Sequence, residues 1–296
     1  LQETGNGVYS YLQPDGSWGW SNAGLIVDGE ASLLVDTLFD APLTRDMLKV
    51  MQDATGISPD KIGTVVNTHA NGDHTHGNGL CTHAEIIASE ASAKEMEAFG
   101  PDRLLQMMQM APELGDTGKY FVEIFGPFDF ADVAERLPTK TFSGELNVKV
   151  GDKTVELKEV GPAHTQGDVL VFVEKDSTVY TGDILFIDGT PIMWAGPVGN
   201  WIKACDLIID RKPEVIVPGH GPITDVAGVS RVKDYLSYID TEARARYDAG
   251  MSARDAALDI SISDFDSWTD AERIAVNVDT LFREYSGNTS APNTME

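Results

Sequence analysis

The sequence predicts an α/β fold built in layers, because strand patterns alternate with helical ones and polar residues follow several strand ends. Two apolar runs, 24–28 and 31–36, are separated by a turn and predict a hairpin. A helical pattern over 42–55 then leads to a strand pattern over 61–67, which stops directly before Thr68 and His69. Layered α/β folds bind ligands at the carboxyl ends of their strands, so this histidine lies where a site is expected.

The rest of the chain predicts an insertion, a second set of strands and a helical end. Residues 88–140 interrupt the strand pattern with helical segments and aromatic side chains. The strands predicted after it are 146–150, 154–160, 169–174, 179–181 and 215–217, with a helix over 198–210 before the last. Helices follow over 229–286, and we expect the polar tail 287–296 to be disordered. We interpret 1–286 as a single domain.

The composition is that of a globular but strongly acidic chain. Of 296 residues, 42% are hydrophobic, and 47 acidic against 22 basic residues give a net charge of −25. Such a surface repels phosphate backbones and anionic lipid heads, so we expect neither nucleic acid nor membranes as partners. No run approaches the roughly 18–20 apolar residues of a membrane span. Without a visible signal peptide, and with only Cys81 and Cys205, the sequence predicts a cytoplasmic protein.

Four of the six histidines share one local setting, an apolar strand followed by a short polar turn that contains glycine. They are His69 and His74 in VVNTHANGDHTHGN, His164 in KEVGPAHTQGD and His220 in VIVPGHG. Asp183 follows a further strand in VYTGDILF. Imidazole and carboxylate groups at strand ends suit zinc, iron or manganese, and together these segments predict a metal site. His76 and His83 lack this setting; we expect His76 to support the site or face solvent, and His83 to be structural.

The ordered pattern resembles the signature of the metallo-β-lactamase superfamily, which is an early Asp, a His-x-His-x-Asp-His cluster, and then a His, an Asp and a final His. The matching residues are Asp36, the cluster His69-Ala-Asn-Gly-Asp73-His74, and then His164, Asp183 and His220. The resemblance spans 24–222 and implies a four-layer αββα sandwich with the metals at one edge. The acidic charge argues against the RNA-processing nucleases of that superfamily.

The resemblance also implies two neighbouring metal positions. The first would take His69, residue 71 and His164, and the second would take Asp73, His74 and His220. Asp183 would bridge them, and Asp36 and Thr68 would support the ligands from behind. Zinc is the expected metal, as one or two ions, with iron or manganese as alternatives.

Residue 71 departs from the family pattern, because asparagine stands where most members have histidine. An amide oxygen is a neutral and weaker ligand than imidazole for a borderline-soft metal. We favour two ions bound with unequal affinity. A single ion at the second position, a preference for iron or manganese, and a degenerate site in a non-enzymatic descendant remain open.

The resemblance implies a metallo-hydrolase that uses a metal-activated water on an ester-, lactone-, amide- or ether-like bond. Asp73 would orient the water and accept its proton, as its family counterpart is thought to do. Two rival hypotheses are an iron-dependent oxidoreductase on the same scaffold and a non-catalytic binding protein with a degenerate site.

Aromatic side chains predict a small, apolar or aromatic substrate. Tyr9, Trp18 and Trp20 belong to an N-terminal segment that the resemblance places near the site as a flap, and Trp194 lies on a later rim loop. The Met- and Phe-rich residues 101–130 would form a lid. The alternative is that these side chains are ordinary core or a dimer contact. The helical C-terminal third favours a homodimer.

Overall fold

A computed structural model describes residues 1–14 and 16–287 of the chain, in which two β-sheets pack face to face. The strands of the first sheet are β1 (Gln2–Gly5), β2 (Val8–Tyr11), β3 (Ala23–Asp28), β4 (Ala31–Val35), β5 (Thr64–Val66), β6 (Glu85–Ser89) and β7 (Lys140–Phe142). Those of the second are β8 (Glu145–Val150), β9 (Lys153–Glu159), β10 (Val169–Val173), β11 (Thr178–Tyr180) and β12 (Val215–Val217).

Both sheets combine antiparallel and parallel pairs. The first follows the order β1-β2-β3-β4-β5-β6-β7, antiparallel as far as β4 and parallel from there to β7. The second follows the order β12-β11-β10-β9-β8 and is antiparallel except for the β11–β12 pair. Parallel neighbours bring their carboxyl ends to the same edge, and the connections after β4, β5, β11 and β12 carry the site residues described below.

Helices cover the outer face of each sheet and supply the insertion. They are α1 (Ala41–Thr55), α2 (Gly72–Thr75), α3 (Glu90–Ala98), α4 (Pro101–Met110), α5 (Gly115–Phe125), α6 (Val198–Arg211), α7 (Val226–Asp248), α8 (Ala253–Asp259) and α9 (Ile274–Tyr285). Local sequence explains the limits of α1: Asp40 accepts a hydrogen bond from the Leu43 N–H at 2.8 Å, and Gly56 ends the helix with a φ of 76°.

The alternation of side chains along each strand divides the core into layers. In β4, Leu33 and Val35 point between the sheets, where they meet Val171 of β10, whereas Leu34 points to the opposite face and packs with Met47 of α1. The outer face of the second sheet packs against α6, α7 and α9 in a third cluster of buried side chains. The result is the predicted αββα sandwich.

Most predicted elements are present, with three corrections of position. Ala88 belongs to strand β6 rather than to a helix, because it continues the hydrogen-bonded pairing with β7, and α3 begins at Glu90. The strand predicted over 61–67 is shorter, since Pro59–Lys61 form a turn of 3₁₀ helix. The C-terminal helices begin at Val226 and are interrupted over 260–273 by turns.

Two further predictions concern the ends of the fold. The predicted tail 287–296 lies outside the described residues apart from Gly287. Within the described ranges, no helix combines the length and apolar character needed to cross a bilayer.

Candidate metal centre and cavity

Four connections and the short helix α2 bring the predicted ligands to one edge of the sandwich. The β5–α2 connection carries His69, and Asp73 and His74 follow within α2. His164 lies between β9 and β10, Asp183 lies directly after β11, and His220 lies after β12. All six residues are buried, so segments far apart in sequence converge on one enclosed point.

Asp183 lies at the centre of this cluster. Its Oδ2 is 3.3 Å from His164 Nε2, 3.4 Å from His220 Nε2 and 3.6 Å from His69 Nε2, and its Oδ1 is 3.1 Å from His74 Nε2. One carboxylate thus faces four imidazoles through both of its oxygens. This is the arrangement that the resemblance implied for a bridging residue.

Asp73 completes a second group beside the first. Its Oδ2 lies 3.2 Å from His220 Nε2 and 3.8 Å from His74 Nε2. The ligand atoms of Asp73, His74 and His220 all lie within 4.8 Å of one another, as do those of His69, His74 and Asp183. The described residues therefore form two overlapping groups, each with three donors of the kind that bind zinc and related metals.

Hydrogen bonds behind the ligands fix the tautomers of three imidazoles. The Thr68 hydroxyl donates its one proton to Asp36 Oδ2 at 2.7 Å, so its oxygen is free to accept the Nδ1–H of His69 at 3.0 Å. The Nδ1 of His74 lies 2.9 Å from the same Asp36 oxygen, and that of His164 lies 2.6 Å from the Ile192 carbonyl oxygen. Each ring then directs Nε2 toward the cluster, and the lone pair of that nitrogen is available to a metal ion whenever the ring is neutral.

Unpaired polar atoms show that the donor set fits metal ions. The Nε2 atoms of His69, His74 and His164 and the Oδ1 of Asp183 are buried and make no hydrogen bond to the described residues. Buried polar atoms are normally paired, because leaving one unpaired costs about 1–3 kcal/mol. Metal ions in the two groups would satisfy these four atoms.

The protonation of the imidazoles follows from burial and the neighbouring carboxylates. Burial lowers the pKa of His164, and it lowers the pKa of His69 well below its ordinary value. Burial also opposes the charged forms of His74 and His220, but Asp183 and other carboxylates outweigh it, raising the pKa of His220 to about 9 and that of His74 well above its usual range. Metal binding at these two rings therefore releases protons.

Two glycines allow the loops to approach the cluster closely. A Cβ on Gly219 would lie 2.0 Å from Asp183 Oδ1, and a Cβ on Gly182 would lie 2.4 Å from the Thr68 hydroxyl oxygen. Gly182 also has a φ of 48°, in the left-handed region that side chains disfavour. The glycine-bearing turns noted in the sequence are therefore needed to seat Asp183 beside the histidines.

Asn71 stands at the edge of this cluster rather than within its hydrogen-bond network. It precedes α2, and its backbone carbonyl accepts a hydrogen bond from the His74 N–H at 3.0 Å. Its side chain lines the adjoining cavity and makes no hydrogen bond with residues 1–14 or 16–287. The amide is thus available to a metal ion or to a bound molecule.

The cluster opens into a cavity of about 590 Å³ between the sandwich and the insertion. Trp18 and Trp194 line it, as predicted, together with apolar side chains of the lid helices α4 and α5, such as Met107 and Phe125. The Trp18 and Trp194 rings lie 6.4 Å apart. The cavity has the size of a small-molecule site, and most of its wall is apolar.

Two of the residues predicted to contact the substrate lie away from the cavity wall. The described residues that line the cavity do not include Tyr9 or Trp20. Tyr9 lies on β2 and packs with the core cluster under α1, because the pleat of the strand turns it away from the site. Trp20 packs against Phe128 with ring centroids 4.9 Å apart, behind the cavity wall.

His76 and His83, the two remaining histidines, match the predictions only in part. His76 is buried and its Nδ1 lies 3.2 Å from the Phe39 carbonyl oxygen, so it supports the wall of the cavity and does not face solvent. His83 is exposed on a turn, and it does not have the buried structural role that we expected.

Four charged residues of the cavity wall are not marked by any pattern in the sequence: Glu95, Arg103, Glu272 and Arg273. Glu95 lies on α3, Arg103 lies on α4, and the other two lie just before α9. Arg273 is buried, lies 4.4 Å from the ring of Trp18, and donates a hydrogen bond to the Thr190 carbonyl oxygen at 2.9 Å. No motif marks these residues; only the long-range packing of two helical regions brings them to the site.

Comparisons with known proteins agree with this geometry. Residues 16–220 match the family model described as the metallo-beta-lactamase superfamily. The chain is 27% identical over 117 residues to the "Beta-lactamase-like protein 2 homolog" of Drosophila melanogaster, a match that covers 38% of this chain and 39% of that protein.

Solved structures share the fold at low sequence identity. A metallo-beta-lactamase from Pontibacter korlensis has a TM-score of 0.56 at 18% identity, covering 73% of this chain and 87% of the other. The sec-alkylsulfatase Pisa1 from Pseudomonas sp. has a TM-score of 0.70 at 15% identity, covering 97% of this chain but only half, 50%, of the alkylsulfatase. Since the family model covers most of the chain, the protein belongs to the metallo-beta-lactamase superfamily.

Proposed function

We propose that this chain is a metal-dependent hydrolase that acts on an ester-, lactone-, amide- or ether-like bond of a small, apolar or aromatic molecule. The observation that carries this proposal is that the imidazole and carboxylate cluster around Asp183 opens directly into the aromatic cavity. Superfamily members are generally metal-dependent hydrolases, and the apolar wall supports an apolar substrate.

Each part of the site has a distinct chemical task in this proposal. When bound, metal ions lower the pKa of water from 15.7 to about 7 and polarise the bond to be broken. Burial alone would raise the pKa of Asp73, but His74 and His220 lower it to about 2, so this carboxylate is ionised at neutral pH. Asp73 lines the cavity and is placed to orient a water molecule and accept its proton. Trp18 and Trp194 hold the apolar part of the substrate.

The proposal is tested with metal analysis and a substrate panel on one preparation. The protein is purified without added metal, its metals are measured by element, and it is assayed on aryl and alkyl esters, lactones, amides, an alkyl sulfate and a β-lactam. His164→Ala is expected to lower activity by at least about 100-fold, because it removes a donor from the centre. His83→Ala, which changes an exposed histidine, serves as the control. Stoichiometric iron with oxygen uptake, or no turnover of the panel, would overturn the proposal.

We also propose that zinc is the metal and that the two positions bind it unequally. Asp73, His74 and His220 supply a complete second position, whereas the first has the imidazoles of His69 and His164 and only an amide at Asn71. A neutral amide oxygen is a weaker ligand for zinc than imidazole is. The first position is therefore expected to lose its ion first.

Asn71→His is expected to raise the zinc content at limiting zinc, from about one toward about two ions per chain, because it restores an imidazole. Elemental analysis after dialysis at a series of zinc concentrations measures the change. Asn71→Ala is the matched variant. A lower zinc content in this variant than in the parent would show that the Asn71 amide is a zinc ligand. Two full and equally tight positions in the parent protein would contradict unequal affinity.

A further inference from the structure

One carboxyl group of the cavity has no task in the metal centre. Glu95 lies on the inner side of α3, half-buried, and lines the same cavity as Asp73, His164 and Asp183. It belongs to neither group of metal donors. Its helix lies directly after β6, so its position depends on the sandwich and not on the lid helices α4 and α5.

A single hydrogen bond holds the carboxyl group of Glu95 in place. Its Oε2 accepts the backbone N–H of Gln166 at 3.1 Å, two residues after the ligand His164. Its Oε1 makes no hydrogen bond, and neither oxygen forms an ion pair, within residues 1–14 and 16–287. One oxygen therefore anchors the group to the loop of a metal ligand, and the other is left for a bound molecule.

The surroundings favour a proton on Glu95 near neutral pH. Burial raises the pKa of this carboxyl group to about 7, although the Gln166 N–H opposes the shift. Asp168, which is buried behind the same loop, is the nearby acidic group, and Arg103 of α4 lines the same cavity. A carboxylic acid with a pKa close to the working pH is well suited to general acid catalysis.

The other titratable groups of the cavity wall are less suited to this task. Glu272 Oε1 already accepts hydrogen bonds from Trp18 Nε1 at 3.0 Å and from the Tyr120 hydroxyl at 2.8 Å, and these contacts help to lower its pKa despite its burial. Burial raises the pKa of Tyr120 above its ordinary value and lowers that of His76 to about 4. Among the described groups outside the metal cluster, Glu95 combines a free oxygen with a transferable proton.

From this placement we propose that Glu95 is a general acid that protonates the leaving group when the substrate is hydrolysed. The step rests on the proposed hydrolase function. The bond between the acyl carbon and the leaving oxygen breaks, and its electron pair stays on that oxygen, which takes the proton of Glu95. Water supplies the hydroxyl group on the acyl carbon and gives its proton to Asp73. Proton exchange with solvent then restores both carboxyl groups, so one ester and one water yield one acid and one alcohol.

A series of esters with different leaving groups tests the proposal. Nitrophenoxide is stable enough to leave without a proton. Phenoxide depends on protonation more strongly than nitrophenoxide does, and an alkoxide depends on it most strongly. Glu95→Gln keeps an acceptor for the Gln166 N–H but has no proton of the required acidity. We expect kcat/KM to change by less than about threefold for nitrophenyl esters and to fall by about 100-fold or more for alkyl esters. The slope of log kcat/KM against leaving-group pKa becomes steeper.

Two further variants separate chemistry from structure. Glu97→Gln changes an exposed glutamate on the same helix and is expected to leave the slope unchanged. Glu95→Asp retains an acid and is expected to recover part of the alkyl-ester activity, which a purely structural role would not predict. Metal content and the midpoint of thermal unfolding are measured for every variant. An equal loss on all esters, or an unchanged slope, would overturn the assignment of Glu95.

The failure of this inference is distinguishable from failure of the proposed function. If the metal-loaded parent protein turns over none of the substrates in the panel, both proposals fail. If the parent is active and Glu95→Gln keeps the parent's leaving-group dependence, only the role of Glu95 fails.

Discussion

At the scale of single residues, Asp36 supports the candidate metal centre from behind two of its histidines. Its Oδ1 accepts the Thr68 N–H at 2.7 Å, and its Oδ2 accepts the Thr68 hydroxyl at 2.7 Å and lies 2.9 Å from His74 Nδ1. Through Thr68 it also sets the tautomer of His69. Asp36 has a φ of 59°, in the left-handed region that asparagine and aspartate tolerate better than most residues. The carboxylate of this one residue therefore orients both His69 and His74.

Asp36→Asn is expected to weaken zinc binding by about 10–100-fold, because loss of a supporting hydrogen bond lets the ligand rings turn. Asparagine fits the backbone, but its NH2 group only donates, so either the Thr68 N–H or the pair formed by the Thr68 hydroxyl and the His74 Nδ1–H loses its acceptor. Competition with a chromogenic chelator measures the affinity. Asp46→Asn, on the exposed side of α1, is the control. Equal affinity in Asp36→Asn and the parent would show that Asp36 does not orient the ligands.

At the scale of elements, the lid is held over the cavity by one residue that precedes α9. Glu272 binds Tyr120 of the lid helix α5 and Trp18 of the N-terminal loop through the same oxygen. The Trp18 ring also meets Phe125 of α5 edge-on, with centroids 6.2 Å apart. Three separate parts of the chain thus meet at the cavity, and the hydrogen bonds to Glu272 connect them.

Tyr120→Phe is expected to loosen α5 without disturbing the sandwich, because it removes one hydrogen bond and keeps the ring. A loss of about 1 kcal/mol corresponds to roughly fivefold faster local opening. Amide hydrogen exchange over 115–125 reports the opening, and exchange over 31–35 in β4 is expected to stay the same. Tyr247→Phe, on α7, is the matched control. Unchanged exchange in α5 would mean that the Tyr120 hydroxyl does not hold the lid.

At the scale of the whole molecule, the two cysteines report on the integrity of both halves of the core. Cys81 packs in the cluster under α1, and Cys205 packs in the cluster around α6 and α7. Neither side chain is exposed, and burial raises the pKa of each thiol to about 12. The thiolate is the reactive form of cysteine, so both should be inert while the sandwich stays closed.

We expect a disulfide reagent at neutral pH to label neither cysteine in the native protein and both after unfolding in guanidinium. The matched control is Lys49→Cys, which places a thiol at an exposed position of α1 that the reagent labels at once. The time course of labelling is followed by absorbance and by mass spectrometry. Labelling of Cys81 or Cys205 at the rate of the added thiol would show that its half of the core opens readily.

Features that depend on short local patterns could be predicted from the sequence. Each ligand follows a strand within a few residues, so an apolar run and the polar turn after it place His69, Asp183 and His220 at the same edge of the sandwich. The hairpin of β3 and β4 and the helix α1 are equally local, because turn residues and caps define them. Short-range rules were sufficient for these features.

Features that depend on distant packing could not be predicted. The resemblance places the N-terminal segment with Tyr9 and Trp20 near the site, but the pleat of β2 and the ring of Phe128 place these two side chains elsewhere. Glu95 follows no motif, and its carboxyl group acquires its setting only when α3 packs beside the loop of His164. Side chains from several segments together determine how buried such a position is and which charges surround it. These segments come together only in the folded chain.

By itself, therefore, the sequence determined the layered α/β fold and the family and predicted the metal donors, since strand periodicity and strand-end turns act over a few residues. Only the tertiary structure decided which of these candidate donors meet at Asp183, which aromatic rings line the cavity, and that a carboxyl group outside the cluster lines the cavity as well. The physical reason is that metal-ligand geometry, burial and pKa depend on distances between segments that are remote in the chain. No local pattern encodes those distances.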